Sequence, residues 1–274
     1  FLPSLNLKYN LNDKNSLRLG ASKTYTLPQA KEISPYRYVG VNFNSQGNPN
    51  LKPSDHYNLD LKWDFNPTSH ELISLTAFYK LIKNPISRIE VASAGGYLSY
   101  ENIADKATVA GVEVEIRKNL FVRPVSNAAH GMNKLSLGLN GSYIYTNAKM
   151  PLATVTTGSQ LEGAAPWIVN FDLSHNFTKG ERSFVNTLVL NYVSDKIYTI
   201  GTQGYQDMME QGVLTLDFVS QAKLNKHLSL NLKARNLLNP SYKLSRKANE
   251  NGEKVILNDY KKGINISLGV SCTF

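Results

Sequence analysis

Residues 56–65 read HYNLDLKWDF. Tyr57, Leu59, Leu61, Trp63 and Phe65 fall on one side of a two-residue repeat, and His56, Asn58, Asp60, Lys62 and Asp64 on the other. A period of two sends successive side chains to opposite faces of an extended chain, so this stretch is a β-strand with one apolar and one polar face. The fold turns on how often the pattern returns and on which solvent meets the apolar side.

It returns along most of the 274 residues. Residues 2–12 alternate through Leu5, Leu7, Tyr9 and Leu11, and 16–28 through Leu17, Leu19, Ala21, Tyr25 and Leu27. The segments 70–92, 107–120, 134–147, 165–177 and 183–200 follow, then 212–225, 228–238 and a last one over about 258–274. This predicts about eleven strands, with no competing stretch of helical periodicity. The final residues, INISLGVSCTF (264–274), keep the alternation to the terminal Phe274. Chain ends usually fray, so a terminus that stays patterned is expected to close a sheet.

The connections sort by length. Those near 12–15, 66–70, 178–182 and 225–227 are short, whereas 28–54, 93–106, 148–164, 201–211 and 239–257 are long; 120–133 is intermediate. Alternating long and short connections mean that the two edges of an up-and-down sheet meet different surroundings, as in outer-membrane barrels. Aromatic residues gather towards strand ends (Tyr57 at one end, Trp63 and Phe65 at the other, then Tyr143, Tyr145 and Tyr192), resembling interfacial girdles. Alternation alone leaves a soluble sheet open as well.

Composition narrows the classes. No apolar run of about 18 residues occurs, which excludes a spanning helix but not a spanning strand of about 9–11 residues. Mean hydropathy of −0.29 suits either a soluble protein or a barrel. The single Cys272 excludes an internal disulfide and a cysteine-rich metal site; it falls on the apolar face of the last strand, as a small packing residue. The net charge of +9 comes with no nucleic-acid recognition signature. Lys31, Arg37, Lys52, Lys149, Arg246, Lys247, Lys254, Lys261 and Lys262 fall mainly in loops, where a solvated surface is the first reading and attraction to anionic lipid or sugar the second. The chain enters a strand pattern directly from Phe1-Leu2-Pro3, without an initiating Met, and is read as the C-terminal piece of a longer one.

Three internal segments and the terminus carry a resemblance. GNPNLKPS (47–54), before a strand, resembles the G-N-P-x-L-x-P-E segment of TonB-dependent outer-membrane receptors, with Ser54 where Glu is usual. YENIADKATVAGVEVEI (100–116) is similar to that family's N-x-x-x-A-x-x-x-G-x-E pattern, and ARNLLNPSY (234–242) to its N-L-L/F-N/D segment. Phe274 resembles the C-terminal signal by which outer-membrane barrels are recognised for assembly. The resemblance implies an all-β, antiparallel up-and-down transmembrane β-barrel of about 22 strands, with residues 1–274 supplying about its last half. It further implies an upstream plug and a TonB-contacting segment absent from this sequence, and partners that include outer-membrane lipid and lipopolysaccharide, the TonB complex and the barrel-assembly machinery. Localisation would be the outer membrane of a Gram-negative bacterium. The cargo would be a small scarce nutrient, with no covalent chemistry and no cofactor.

Rival chemistry is weakly supported. Glu113 and Glu115 share one side of a strand, as paired glycosidase carboxylates would, but polar residues lining a barrel interior explain them equally, and Arg117 offers them a charge partner. His56, His70, His130, His175 and His227 are scattered without ligand spacing, and no G-x-S-x-G nucleophile motif occurs. Gly95-Gly96 lacks the context of a phosphate loop and suits a loop tip. Asn48 to Pro53 and Asn236 to Pro240 are read as structural turns. Ligand contacts are expected from the long loops, at Tyr36, Arg37, Tyr38, Asn42, Asn44, Gln160, Glu162, Tyr205 and Asp207. The polar lining is expected from Asp60, Lys62, Glu113, Glu115 and Arg117. A porin, a lipase-like barrel enzyme and a soluble carbohydrate-binding module remain the alternatives.

Overall fold

The computed structural model describes residues 1–91, 96–125, 131–150, 160–248 and 252–273. Gly95, His130 and Phe274 lie outside the described residues, as does 151–159 within the third long connection. The chain runs β1 (Ser4–Asn12), β2 (Asn15–Thr26), a one-turn helix α1 (Ala30–Ile33), β3 (Arg37–Tyr38) and β4 (Ser45–Gln46). Next come β5 (Ser54–Phe65), β6 (Leu72–Lys83), β7 (Ile86–Val91), β8 (Tyr97–Asn102), β9 (Lys106–Pro124) and β10 (Met132–Ala148). The chain continues as β11 (Trp167–Lys179), β12 (Arg182–Val193), β13 (Lys196–Thr199), β14 (Met208–Glu210) and β15 (Val213–Lys223). It ends with β16 (Leu228–Arg235), β17 (Ser241–Lys247), β18 (Lys254–Lys261) and β19 (Asn265–Cys272).

Eleven of these form one antiparallel wall in the order β1-β2-β5-β6-β9-β10-β11-β12-β15-β16-β19. The others extend the wall at its long-connection edge as two four-stranded sheets, β3-β4-β8-β7 and β13-β14-β17-β18. Each of the eleven wall strands overlaps one segment read from alternation, but 70–92 and 183–200 also take in β7 and β13, and 258–274 the end of β18, all of which belong to the outer sheets. The intermediate connection resolves as a short one, because β9 runs on to Pro124 and β10 starts at Met132. Every described short turn then lies on the opposite edge. Asn12 Oδ1 holds the first by accepting the Lys14 and Asn15 amides at 3.0 and 2.9 Å. Asn225 Oδ1 does the same for His227 and Leu228 at 2.9 and 2.8 Å.

Register keeps each face uniform across strands. Leu19, Leu61, Ala77, Val112, Tyr143 and Trp167 form one continuous cross-strand row. Leu61 is 51% exposed and Trp167 52%, so this apolar face is not packed against protein. A soluble sandwich would cover such a face with a second sheet. The buried core sits elsewhere, at the long-connection edge, and joins Ile89, Ile103, Leu161, Ile197 and Ile200 to Ala107 and Ala148. Ala107 and Ala148 belong to the polar face of the wall, since their row continues into Ile82 and His56. The outer sheets therefore fold over the polar side, which makes it the inner side. Leu161 confirms the direction by donating its amide to Thr146 Oγ1 at 3.1 Å.

All five residues expected to line the interior lie on that polar face. Lys62 reaches Asp64 at 3.5 Å, Arg18 reaches the same carboxylate at 3.3 Å, and Arg117 pairs with Glu115 at 2.7 Å. Asp60 packs beside Gly20, and Glu113 stands opposite Thr76 and Ser142. Cys272 is exposed at the end of β19 rather than packed in a core. Arg37, Arg246, Lys247, Lys254 and Lys261, expected in loops, lie on the short strands of the outer sheets.

Candidate binding cleft

The two family-like turn segments brace the outer sheets. Asn48 donates Nδ2 to the Tyr100 carbonyl at 3.0 Å, while Asn102 accepts the Lys52 amide at 2.8 Å and donates to the Lys52 and Asn84 carbonyls. This stitches the 47–54 segment to the β7–β8 hairpin. Asn236 and Asn239 adopt positive φ (58° and 43°), a conformation Asn tolerates well. The Asn236 carbonyl accepts the Asn239 amide at 2.9 Å within the turn, its own amide donates to Asp217 Oδ1 at 2.8 Å and its Nδ2 to the Gly263 carbonyl at 2.7 Å; Asn239 Oδ1 accepts the Gly263 amide at 3.1 Å. Both segments are structural.

β7 is the keystone between the sheets. Ile89 forms a parallel bridge with Ile200; the Ile200 amide donates to Arg88 O at 3.0 Å and the Glu90 amide to Ile200 O at 3.1 Å. Glu90 pairs with Arg246, and its carbonyl accepts the Thr202 hydroxyl. Arg88 lies 3.4 Å from the Glu162 carboxylate and 4.4 Å from the Tyr198 ring centroid. Glu162 also accepts the Arg88 amide. Burial pushes the Glu162 carboxyl up, outweighing the favourable Arg88 contacts, and burial likewise pushes the Tyr100 hydroxyl up.

Between the sheets lies a cleft of about 740 Å³. Arg88, Leu98 and Tyr100 line one side; Tyr198, Tyr242, Lys243 and Tyr260 line the other. Tyr242 and Tyr260 stack with centroids 5.5 Å apart, and Lys262 Nζ sits 3.7 Å over the Tyr242 ring. Lys243 is 3.6 Å from Asp259, and Glu210, the carboxylate in the lining, pairs with Lys196 at 3.3 Å. Flat rings with cations above them suit a ligand that combines aromatic faces with negative charge.

The expected ligand residues are distributed unevenly around this cleft. Asn42 lines it. Tyr36 is 73% exposed on the approach, Arg37 stacks over Tyr97 at 5.3 Å, and Tyr38 receives Lys31 at 5.4 Å. The Asn44 carbonyl accepts the Leu98 amide at 2.9 Å, which is a backbone role. Gln160 is exposed, whereas the Glu162 carboxylate is taken up by Arg88. Tyr205 packs under Arg246, and Asp207 accepts the Gly201 amide at 2.7 Å, away from the cleft. The sequence reading missed Arg88, Tyr100, Tyr198, Tyr242, Lys243 and Tyr260. The adjacent Tyr242-Lys243 pair and the density of tyrosines in the long connections were the available signal.

A family model for the TonB-dependent receptor-like β-barrel matches residues 1–237. The chain belongs to the TonB-dependent receptor family. The receptors of this family are outer-membrane transport proteins and not enzymes, and this barrel portion takes that localisation with its fold. An iron-regulated outer membrane virulence protein of Vibrio cholerae serotype O1 is 25% identical over 227 residues, covering 79% of this chain and 32% of the relative. The ferric enterobactin receptor of Pseudomonas aeruginosa (Q482A variant, with enterobactin) superposes with a TM-score of 0.61 at 18% identity, over all of this chain and 40% of that one. The copper transporter OprC superposes at 0.66 with 14% identity, over 99% of this chain and 40% of that one. At these identities the structural likeness establishes the receptor fold. The chain spans about a third of the curated relative and two fifths of the solved receptors.

Proposed function

We propose that this barrel portion belongs to a receptor that captures a scarce, anionic, ring-bearing nutrient complex at its outer face and imports it with energy delivered through TonB. The cleft between the outer sheets carries this reading, because it sets four tyrosine rings among Arg88, Lys243 and Lys262. A ferric chelate with aryl ligands has that chemistry, and the ferric enterobactin receptor of Pseudomonas aeruginosa, one of the proteins this chain resembles, supports the reading. Tyr36, Arg37, Tyr38 and Asn42 would meet the ligand first; Gln160, at the edge of the third long connection, would approach later. Asp60, Lys62, Glu113, Glu115 and Arg117 would line the passage and face an upstream plug. TonB would act on that plug, and Phe274 would serve the barrel-assembly machinery.

The test uses the full-length receptor. Ferric enterobactin is titrated against wild type and a Tyr260→Ala/Lys243→Ala variant by tryptophan-fluorescence quenching. Loss of one stacking face and one charge should weaken binding at least about tenfold, since each contributes roughly 1 kcal/mol or more when desolvated. Equal affinity in the two proteins would remove the cleft from the binding path.

A further inference from the structure

The apolar face of the wall is interrupted near its short-turn edge. His175 in β11, Asn186 in β12 and Ser220 in β15 are successive cross-strand partners, and Leu135 and Leu232 flank them in the same row. They share the alternation of Trp167, Leu188 and Leu216, so they lie on the outward face. All three are partly exposed there. The next row towards the middle of the wall is Leu137, Leu173, Leu188, Phe218 and Ala234. The next row towards the turns holds Ala222 and the Phe177 and Phe184 rings, whose centroids are 6.4 Å apart. The polar residues therefore stand inside the aromatic girdle, with apolar rows on both sides.

Their hydrogen bonds are incomplete. His175 Nε2 lies 2.8 Å from Asn133 Oδ1; an amide oxygen only accepts, so Nε2 carries the proton and Nδ1 of the neutral ring is an acceptor. Ser220 Oγ donates to Asn186 Oδ1 at 2.7 Å, which leaves the Asn186 Nδ2 hydrogens over. Among the described residues, neither His175 Nδ1 nor Asn186 Nδ2 has a partner. Water would satisfy both groups, but hydrocarbon cannot, and polar side chains at such depth pair with other protein groups.

We propose that this row is the contact through which two copies of the receptor associate side by side in the membrane. The donor–acceptor pattern selects a second copy. His175 and Asn186 are direct neighbours, about 5 Å apart between Cα atoms, one with an acceptor to spare and the other with a donor. A twofold axis along the membrane normal sets His175 of one copy against Asn186 of the other and repeats the contact in reverse. Each Nδ1 then accepts from the Nδ2 of the facing copy, and the same two residue types complete both sides. Leu173 and Leu188 on one side of the pair, and Phe177 and Phe184 on the other, supply apolar surface around it. This contact is on the opposite face of the wall from the cleft and does not depend on the cargo.

Association of the full-length receptor in detergent micelles is measured by sedimentation equilibrium. Wild type should show a monomer–dimer equilibrium. His175→Leu should weaken it at least about tenfold, because two symmetry-related hydrogen bonds are lost together, and Asn186→Leu should weaken it equally. H175L/N186L should be no weaker than either single variant, since the two residues contact each other. Leu61→Ile, elsewhere on the outward face, should match wild type. Heat-modifiable gel mobility shows that each variant has assembled. A wild type that stays monomeric at every protein-to-detergent ratio would overturn the proposal. A dimer unaffected by either leucine variant, or losses that multiply in the double variant, would overturn it as well. If the leucine variants fail to assemble, energy transfer between singly labelled copies in liposomes decides. Transfer should be stronger with labels at 188 than at 61, and equal or weaker transfer at 188 overturns the proposal. A receptor that becomes monomeric once a co-purifying outer-membrane protein is removed would give the row to that protein and overturn the assignment to a second copy.

Discussion

Ile89 and Ile200 meet across a parallel bridge, and Ile200 is completely buried there. This contact joins two sheets that come from well-separated connections, and it fixes the two sides of the cleft relative to each other. A wall strand can be rigid through its ladder alone, but connections of this length need a core of their own to hold a binding shape.

Ile200→Ala should open that core. Truncating a fully buried isoleucine costs about 2–5 kcal/mol. Hydrogen–deuterium exchange should accelerate in 86–91 and 196–210 and stay unchanged in β10 and β11.

Glu162 predicts an unusual pH response. Burial raises its folded-state pKa above the ordinary value near 4.5. A carboxyl whose pKa is raised on folding contributes stability that is fully present below its unfolded value and is lost as pH rises through the folded value. From about pH 4.5 upward, the Glu162 contribution to the stability of the outer sheets should therefore decline. Glu162→Gln should remove that part of the slope, read as thermal midpoint against pH for both proteins.

Gly111 is placed under the Phe78 ring, where an added Cβ would fall 2.4 Å from a ring carbon and 2.5 Å from the Tyr143 carbonyl oxygen. Gly111→Ala should destabilise the wall by about 1–3 kcal/mol, because Phe78 can shift but the backbone oxygen cannot. Gly141, with open space around its Cβ position, should accept alanine without loss. Urea unfolding in lipid, followed by tryptophan fluorescence, separates the two.

The wall was legible because lipid on one side and a polar interior on the other impose a strict period of two on every strand. Where the ladder is irregular, legibility stopped. A register shift between Leu135 and Ser136 disrupts the β9–β10 pairing opposite Leu120, so alternation predicted the end of β9 there although the strand continues to Pro124. The short strands of the outer sheets were not told apart from the wall, because runs of two to eight residues give periodicity little to work on; β7 and β13 were read as the ends of the segments 70–92 and 183–200.

The cleft was less legible still. Tyr242 and Tyr260 face each other across one hairpin, β17–β18, but Tyr198 and Tyr100 join them only through the pairing of distant segments. Glu162 has a partner that the sequence did not signal: Arg88, supplied by a different hairpin. Asn48 and Asn236, by contrast, were read correctly as turn residues, because their hydrogen bonds are set by local backbone geometry and neighbouring strands.

The central claim is that hydrocarbon bathes the apolar face of the wall. Substituting Leu61 with Arg should cost about 2–4 kcal/mol if it lies near the bilayer midplane. The more direct measurement places single spin labels along residues 58–63 of the full-length receptor in liposomes and compares relaxation by oxygen with relaxation by a water-soluble nickel chelate. Labels at 59, 61 and 63 should be relaxed by oxygen, and those at 58, 60 and 62 by the chelate, with a period of two. The opposite phase, or accessibility without alternation, would contradict the account.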